Sequence, residues 1–378
     1  MPRSVLSGGL LVLLVLALAG FGGWLLSLPS ETAAAEPSPV PQAERSAMLD
    51  SLRPVGRERP LVAVLGLNDA TETTDFLVPT GILRRADVAD IVTVATGPGS
   101  VQLYPAFRVK PDATIAAFDS AHPRGADYVI VPAMSRDDDP TALAWLRSQA
   151  EKGARVIGIC AGAKVVAAAG LLDGRRATTH WYYLGELLQR SPSAAYVADR
   201  RMVSDGRVTT TTGITASMPM MLTLVEAIAG PARAGAIARD LGVARWDARH
   251  VSGAFKLTRS FATTVLANRM AFWNREELGI RLEPGMDEVS LALVADAWSR
   301  TYRSSVTAFA ASPEGIVSMN GVRLIPDRSG AEWPRSRQVS TLPNRPPAQA
   351  LDRTLEAIAA RYGSRTADMV ALQLEYPR

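Results

Sequence analysis

The most constraining feature of the sequence is a series of short, continuously apolar segments that alternate with amphipathic segments between residues 60 and 230. Continuous apolar runs of about four to eight residues are typical of strands buried on both faces of a sheet. Such strands, alternating with helices, predict a parallel sheet in a doubly wound α/β fold. The predicted strands are 60–67, 90–96, 127–133, 155–159 and 206–213, and the predicted helices are 74–86, 140–153, 161–170 and 217–230.

The only cysteine in the 378 residues, Cys160, lies where a predicted strand runs into a predicted helix, within Gly158-Ile-Cys-Ala-Gly162. Small residues on both sides permit the sharp turn that presents a nucleophile at the carboxyl end of a sheet. A thiol at a helix N-terminus is favoured as thiolate, because the terminal amides attract negative charge. The sequence therefore predicts a nucleophile at Cys160. The alternative is a small buried cysteine without chemistry, a common fate of a lone cysteine.

Composition limits the other classes of site. A single cysteine excludes an internal disulfide, and because only three histidines accompany it, no metal site and no cofactor are predicted. The 41 basic and 37 acidic residues give a formal net charge of +4 without a dense basic block, so nucleic-acid binding is not predicted. The predicted partners are a small-molecule substrate or ligand and a membrane, and the sequence is compatible with a homodimer.

The N-terminal segment 4–28 is uncharged, apolar and long enough to span a bilayer as a helix. Arg3 precedes it, and no Lys or Arg follows before Arg45, so the positive-inside rule places the N-terminus in the cytoplasm. The expected localisation is the inner (cell) membrane, single-pass, with the main domain periplasmic or extracellular. A cleaved signal peptide, with small residues at 33–35, is the alternative, and it also exports the protein.

The sequence predicts five segments, of which the last resembles a part of the third. Residues 306–327 follow the layout of 92–112, and residues 354–363 echo 223–235, which predicts a degenerate partial second copy. A C-terminal α/β extension that packs on the first sheet is the alternative. A strand is predicted at 288–296. The segments are a membrane anchor or signal peptide (1–29), a flexible Pro-rich linker (30–58), an α/β domain (59–245), connecting helices (246–285) and the α/β extension (286–378).

Three segments resemble the ThiJ/PfpI superfamily, the class I glutamine-amidotransferase-like fold. Residues 156–181 (VIGICAGAKVVAAAGLLDGRRATTHW) resemble its nucleophile segment, and their last part is similar to the sensor domains of GlxA-type regulators. Residues 71–88 resemble the segment in which an acid, here Asp75, stands four positions before a proline. Residues 205–228 resemble the closing strand and helix. The resemblance covers about residues 60–243 and implies a flavodoxin-like sheet.

The resemblance also implies roles for individual residues. Cys160 would be the nucleophile, Asp75 would tune its ionisation and exchange its proton, and His180 would be a further catalytic residue. The amides around Ala161 and Ala133 would receive an oxyanion. Glu72 is interpreted as a solvated helix-entry acid. The predicted substrate-binding residues are Ala161, Gly162, Ala133, Met134 and Trp181.

The sequence departs from the family in ways that restrict its activity. Family peptidases carry a histidine directly after the nucleophile, where this chain has Ala161, so a Cys-His peptidase is not predicted. Ala133-Met134 replace the usual Gly-Gly, and no DNA-binding helix-turn-helix pattern follows residue 230.

Two functions are consistent with these features. One is a cysteine-dependent hydrolase, hydratase or lyase for a small amide, aldehyde or isocyanide. The other is a non-catalytic ligand or redox sensor that uses the same cysteine pocket.

Overall fold

A computed structural model describes residues 15–17, 19–30, 36–330 and 332–377. Most of the N-terminal part of the predicted anchor and the predicted cleavage site at 33–35 lie outside the described residues. The strands, numbered along the chain, are β1 (Leu61–Gly66), β2 (Asp69–Glu72), β3 (Asp90–Ala95), β4 (Val101–Tyr104), β5 (Arg108–Lys110), β6 (Ala113–Thr114), β7 (Tyr128–Val131), β8 (Arg155–Gly158), β9 (Arg176–Ala177), β10 (Ala195–Tyr196), β11 (Met202–Asp205), β12 (Val208–Thr211), β13 (Glu276–Arg281), β14 (Ser304–Ala310), β15 (Ile316–Val317), β16 (Arg323–Ile325) and β17 (Arg328–Ser329). The helices are α1 (Val15–Ser27, residue 18 excepted), α2 (Gln42–Leu52), α3 (Thr73–Ala86), α4 (Ile115–Ala121), α5 (Pro140–Glu151), α6 (Gly162–Ala168), α7 (Leu184–Arg190), α8 (Ser217–Leu241), α9 (Arg259–Met270), α10 (Glu288–Ser299), α11 (Pro347–Tyr362) and α12 (Ser364–Leu374).

The predicted parallel sheet is confirmed. Seven strands form it in the order β11-β12-β8-β7-β1-β3-β6, and every neighbouring pair except β11–β12 is parallel. All six residues of β1 are buried, as expected for a strand covered on both faces. Alternate side chains point to opposite faces, so Val62 and Val64 join a core with α3 and α8, whereas Leu61 and Ala63 join a core with α5 and α6.

One helix among the described residues, Ile214–Leu241, is long and apolar enough to cross a membrane. Within the fold 61% of its apolar window is buried, and it packs on α3 as a core helix. It continues past the predicted end at residue 230, with a break at Gly230, where φ is 83°. The shorter apolar helix α1 is more exposed than this core helix: Leu16 and Leu26 are 62% and 68% exposed.

The prediction of a flexible linker is wrong for part of its length. Residues 42–52 form α2, which buries Met48 and Leu52 in the core of the α/β domain. Arg45 pairs with Glu226 of α8 at 2.7 Å, and the Tyr128 hydroxyl donates to the Leu52 carbonyl. These partners are distant in the sequence, so the proline content alone does not indicate that this segment packs.

The prediction of a strand at 288–296 is also wrong, because these residues lie in α10. Every residue from Glu288 to Trp298 is buried, since α10 packs against β14, α3 and α11. A helix that is covered on all sides lacks the one-sided apolar periodicity that distinguishes a helix from a buried strand. The predicted connecting region likewise contains α9 but also the strand β13.

The C-terminal region repeats the order of elements at the start of the first domain. We call residues 61–114, with β1-β2-α3-β3-β4-β5-β6, the first copy, and residues 276–329, with β13-α10-β14-β15-β16-β17, the second copy, which has no described counterpart of β2. In each, two parallel strands flank a helix, a hairpin follows, and a two-residue strand returns to the second strand. Asp112 accepts a hydrogen bond from the Thr93 amide, and Asp327 accepts one from the Ala308 amide, both at 2.8 Å. This topology supports the interpretation as a partial second copy.

The two copies meet across an approximate twofold axis. Strands β5 and β16 pair antiparallel with Val109 opposite Leu324, and these two residues occupy equivalent positions in the two copies. Helix α3 packs on α10, and one continuous hydrophobic core includes both helices, α8 and α11. This arrangement has the self-complementary character of an isologous dimer interface, but it lies within one chain.

Candidate functional site

Cys160 lies on a sharp turn between β8 and α6, as the sequence predicts. Its φ is 55°, in the left-handed region that is strained for a residue with a side chain. The turn brings α6 against the end of β7, where a Cβ on Gly162 would lie 2.0 Å from the Val131 carbonyl oxygen. The Cys160 amide donates to Thr211 Oγ1, and the Thr179 hydroxyl donates to the Cys160 carbonyl, both at 3.0 Å. These contacts hold the cysteine in place.

The environment of the thiol differs from the predicted one. Cys160 is only 4% exposed, and burial raises the pKa of its thiol well above the ordinary value. The charges of Asp75 and Glu72 raise this pKa further, whereas the Ala161 N–H lowers it. The expectation that the start of α6 would favour the thiolate is therefore wrong, because burial and the carboxyl groups outweigh the helix terminus.

Asp75 lies in the first turn of α3 and is completely buried beside the cysteine. Burial raises the pKa of Asp75 to about 8, although the Ala133 N–H, the charge of Arg300 and the Cys160 side chain lower it. The Ala133 amide donates to Oδ2 at 3.1 Å, whereas Oδ1 makes no hydrogen bond with any described residue. The structure thus brings Asp75 and Cys160 together, with a carboxyl group that is mostly protonated at neutral pH.

The predicted oxyanion donors are only partly available. The Ala133 N–H is used by Asp75, and the Ala133 carbonyl accepts from the Glu72 amide at 2.8 Å. The Gly162 amide donates to the Ile159 carbonyl at 2.7 Å. Of the predicted donors, the Ala161 N–H is the one that acts on the sulfur. Met134 is buried, but it packs in the core with α5 and α6, whereas Cys160 belongs to the core with α3 and α8, so its substrate-binding role stays a prediction.

Glu72 is not the solvated acid that the sequence indicates. It is 8% exposed and caps α3, since Oε2 accepts from the Asp75 amide at 2.7 Å and from the Thr74 hydroxyl at 2.8 Å. Its Oε1 accepts from Arg300 Nη2 at 2.8 Å. Burial raises the pKa of Glu72 well above its ordinary value, and the charge of Asp296 adds to this effect.

Arg300, whose side chain is 19% exposed, and the buried Asp296 complete a charged cluster that the sequence did not predict. Arg300 Nε donates to Asp296 Oδ1 at 2.7 Å, and the Thr74 hydroxyl approaches Asp296 Oδ2 at 3.4 Å. Burial lowers the pKa of Arg300, but the charges of Asp296 and Glu72 outweigh it, and the net change is upward. Arg300 is separated from Glu72 by 228 positions in the sequence, so no local pattern could reveal the pair.

His180 has a structural position rather than that of a free base. Its Nε2 lies 2.9 Å from the Gln373 carbonyl oxygen, which can only accept, so Nε2 carries the proton. Its Nδ1 accepts from the Tyr182 amide at 3.2 Å, and burial lowers the pKa of the ring. Trp181 Nε1 donates to the Leu372 carbonyl at 3.0 Å. Both side chains therefore bind the end of α12, and the catalytic role of His180 and the substrate-binding role of Trp181 stay predictions.

A cavity of about 520 Å³ lies at the junction with α12, and its lining residues do not include Cys160 or Asp75. Glu375 lines it, accepting a short hydrogen bond from the Gly213 amide and pairing with His250 Nε2 at 3.2 Å. The His250 ring stacks on Phe255 at 5.1 Å between ring centres. The charge of Glu375 also acts on Cys160, which places the cavity and the thiol in the same region.

Comparison with known proteins agrees with this geometry. The family model of the DJ-1/PfpI family matches residues 61–227. These residues belong to the DJ-1/PfpI family. The match confirms the resemblance to ThiJ/PfpI proteins and lies within the predicted range of 60–243.

The relatives include an enzyme and several regulators. The isonitrile hydratase of Pseudomonas putida is 44% identical over 93 residues, covering 25% of this chain and 40% of that protein. The HTH-type transcriptional regulator GlxA of Rhizobium meliloti is 29% identical over 167 residues, covering 44% of this chain and 50% of the regulator. A DJ-1 superfamily protein from Salmonella typhimurium has 26% identity and a TM-score of 0.44, covering 49% of this chain and 100% of that one. The chain spans only 27% of the regulator CdhR of Pseudomonas aeruginosa, another relative.

Proposed function

We propose that this protein is a cysteine-dependent hydratase for small, uncharged isocyanides. The observation that carries the proposal is that the carboxyl group of Asp75 is completely buried beside the Cys160 thiol, where burial raises its pKa to about 8. A general acid is most effective when its pKa is close to the working pH, and Asp75, at about 8, meets this condition. The similarity of 93 residues to an isonitrile hydratase supports the same substrate class.

The reaction balances with these two side chains and one water molecule. The Cys160 sulfur forms a bond to the terminal carbon of the isocyanide, while Asp75 gives its proton to that carbon and takes the thiol proton in return. The product of this step is a thioimidate on Cys160. Water then adds its oxygen to the same carbon, the C–S bond breaks, and the two water protons pass to nitrogen and to sulfur. The released product is an N-substituted formamide, and the thiol is regenerated.

The donor geometry favours an isocyanide over an amide or an aldehyde. Attack on a carbonyl group develops charge on oxygen and needs free amide donors aimed at that oxygen. The Ala133 and Gly162 amides already have partners, so the site offers few such donors. Attack on an isocyanide instead develops charge on carbon, which the Asp75 proton neutralises directly. The buried carboxyl groups of Asp75 and Glu72 also disfavour an anionic substrate.

Product formation by the full chain tests this proposal. The protein is incubated with cyclohexyl isocyanide, and N-cyclohexylformamide is followed by NMR. We expect formation by the native protein, none above background with Cys160→Ser, and a large reduction with Asp75→Asn. Equal formation by the native protein and Cys160→Ser would exclude the proposed hydratase.

A ligand sensor is the second candidate, and the cavity beside Glu375 favours it. Its volume of about 520 Å³ is within the range of small-molecule sites, roughly 300–1,000 Å³. A redox sensor is less well supported, because redox-sensing thiols are exposed and have a low pKa, whereas Cys160 is buried with a raised pKa. A ligand that raises the melting temperature of the native protein and of Cys160→Ser equally, without product, would favour the sensor.

We also propose that α1 belongs to a membrane anchor that holds the main domain on the periplasmic or outer side. The exposed apolar side chains of α1, such as Leu16 and Leu26, support this proposal, since exposed apolar side chains are favourable in lipid. A periplasm-dependent reporter fused after residue 378 should be active. An inactive reporter there, with an active cytoplasmic reporter at the same position, would contradict the orientation.

A further inference from the structure

Two ion pairs join the copies at equivalent places. Arg85, in the last turn of α3, pairs with Asp287, which caps the start of α10. Arg300, at the end of α10, pairs with Glu72, which caps the start of α3. Each helix therefore sends an arginine from its C-terminal end to the N-terminal cap of the other, as equivalent residues do across a twofold interface.

The surroundings of the two pairs differ. The helix start that Arg300 reaches continues into Asp75, which lies beside Cys160. The equivalent position after Asp287 is Ser290, whose hydroxyl donates back to Asp287 at 2.6 Å. No cysteine accompanies the second pair, since Cys160 is the only one in the chain. The Arg300–Glu72 pair thus belongs to the cysteine site. The Arg85–Asp287 pair is its structural counterpart, with no cysteine beside it.

We propose that Arg300 is a positioning residue of the Cys160 site, contributed by the second copy. It acts through Glu72, which it holds against the start of α3, and it is the cation that balances the carboxyl groups around the thiol. The second copy therefore provides within one chain a part of the site that residues 61–227 alone do not contain.

The charges around the thiol support this role. Glu72 and Asp75 of α3 and Glu375 at the end of α12 act on it, Arg300 of α10 interacts with it electrostatically, and Asp296 pairs with Arg300. His180 and Tyr183 are also close, and Lys164 of α6 is engaged with Asp137 and Glu186. Arg300 is the cation in this set that is paired with the acids next to Cys160. Arg300 and Cys160 interact electrostatically, and a nearby opposite charge favours the ionised form of a group, so loss of Arg300 disfavours the thiolate.

The test compares Arg300→Met with Arg85→Met in the full chain, because Arg85 makes the equivalent contact away from the cysteine. The rate of Cys160 alkylation by iodoacetamide is measured by intact mass over a range of pH. We expect Arg300→Met to move the midpoint of the profile up by about one pH unit, so that the rate below the midpoint falls about tenfold. Arg85→Met should leave the midpoint unchanged.

Two further variants distinguish the loss of the Arg300 charge from misfolding of the variant. Arg300→Gln removes the charge but keeps a hydrogen-bond donor toward Glu72, and it should show the same shift as Arg300→Met. Arg300→Lys keeps the charge and should return the midpoint close to the native value. Equal shifts in the Arg300→Met and Arg85→Met profiles, or no shift with either charge-removing variant at Arg300, would overturn the proposal.

This inference rests on the proposed function only in that it concerns the same cysteine. Alkylation needs no turnover, so the two ideas fail separately. A chain that forms no formamide but shows the Arg300-dependent midpoint would exclude the hydratase and retain the positioning role. Formamide production by the native chain, with an unchanged alkylation midpoint in Arg300→Met and Arg300→Gln, would retain the hydratase and exclude the positioning role.

Discussion

The first and second copies share one scaffold but differ in chemistry. Both place a helix between two parallel strands and both cap that helix with an acid, Glu72 in one and Asp287 in the other. Among the described residues, only the first copy continues into further parallel strands, β7 and β8, and hence to Cys160. The comparison teaches that the scaffold positions an acid near a site, while the neighbouring strand and turn supply the nucleophile.

The largest expected effect concerns the acid that differs between the copies. Asp75→Asn should reduce formamide production by about 10²–10⁴-fold, because it removes the proton donor while keeping a similar shape. The equivalent change in the second copy, Ser290→Ala, should leave production unchanged. Steady-state rates of both variants with cyclohexyl isocyanide provide the measurement. Similar losses in the two variants would show that the helix start matters only for folding.

The next effect concerns Gly162, where the turn that carries Cys160 brings the start of α6 close to the end of β7. Gly162→Ala should lower the free energy of unfolding by about 3 kcal/mol or more, because its Cβ would lie 2.0 Å from the Val131 carbonyl oxygen. Gly185→Ala is the control, since a Cβ there meets nothing within 4 Å and lies in α7. Urea unfolding measures both. A Gly162→Ala protein as stable as the native one would contradict the described turn.

A smaller loss of stability is expected where the copies cross. A Cβ on Gly81 of α3 would lie 2.6 Å from Glu288 Oε1 and 2.8 Å from Val289 Cγ2 of α10. Gly81→Ala should therefore reduce the free energy of unfolding by about 1–3 kcal/mol, since side chains can move to relieve the clash. The reduction is measured by urea unfolding. A stabilised variant would mean that the two copies do not pack as described.

A further expected effect is a pH dependence of stability. The folded pKa of Asp75, about 8, lies above its ordinary value of 3.8, so the folded protein binds this proton more tightly than the unfolded chain. The contribution to stability is fully present below about pH 4 and is lost as pH rises toward 8, by at most about 1.4 kcal/mol per pH unit. Unfolding between pH 5 and 8 should show a shallower dependence for Asp75→Asn. Identical slopes for both proteins would contradict a buried, protonated Asp75.

Much of the first domain can be predicted from the sequence, because its signals are local. The apolar run of β1 and the small residues around Cys160 each indicate their structure within a few positions. Asp75 needed the family resemblance, since an acid at a helix start has many ordinary roles.

The features that the sequence did not predict depend on contacts between residues that are far apart in the chain. Helix α10 is buried on all sides, so its sequence lacks the periodicity of a helix. The pairing of Glu72 with Arg300 joins residues 228 positions apart. The ring nitrogens of His180, a predicted catalytic residue, contact Tyr182 and Gln373, and Gln373 lies in the second half of the chain. The internal repeat was the one signal that could have placed α10 against α3.

The central claim is that Cys160 and Asp75 form one reactive unit that adds a thiol to an electrophilic carbon. The most direct measurement is NMR of the full chain with an isocyanide labelled with ¹³C at its terminal carbon. The native protein should convert the label to formamide, and Cys160→Ser should leave it as isocyanide. Conversion by Cys160→Ser at the native rate, or no conversion by the native protein, would contradict the account.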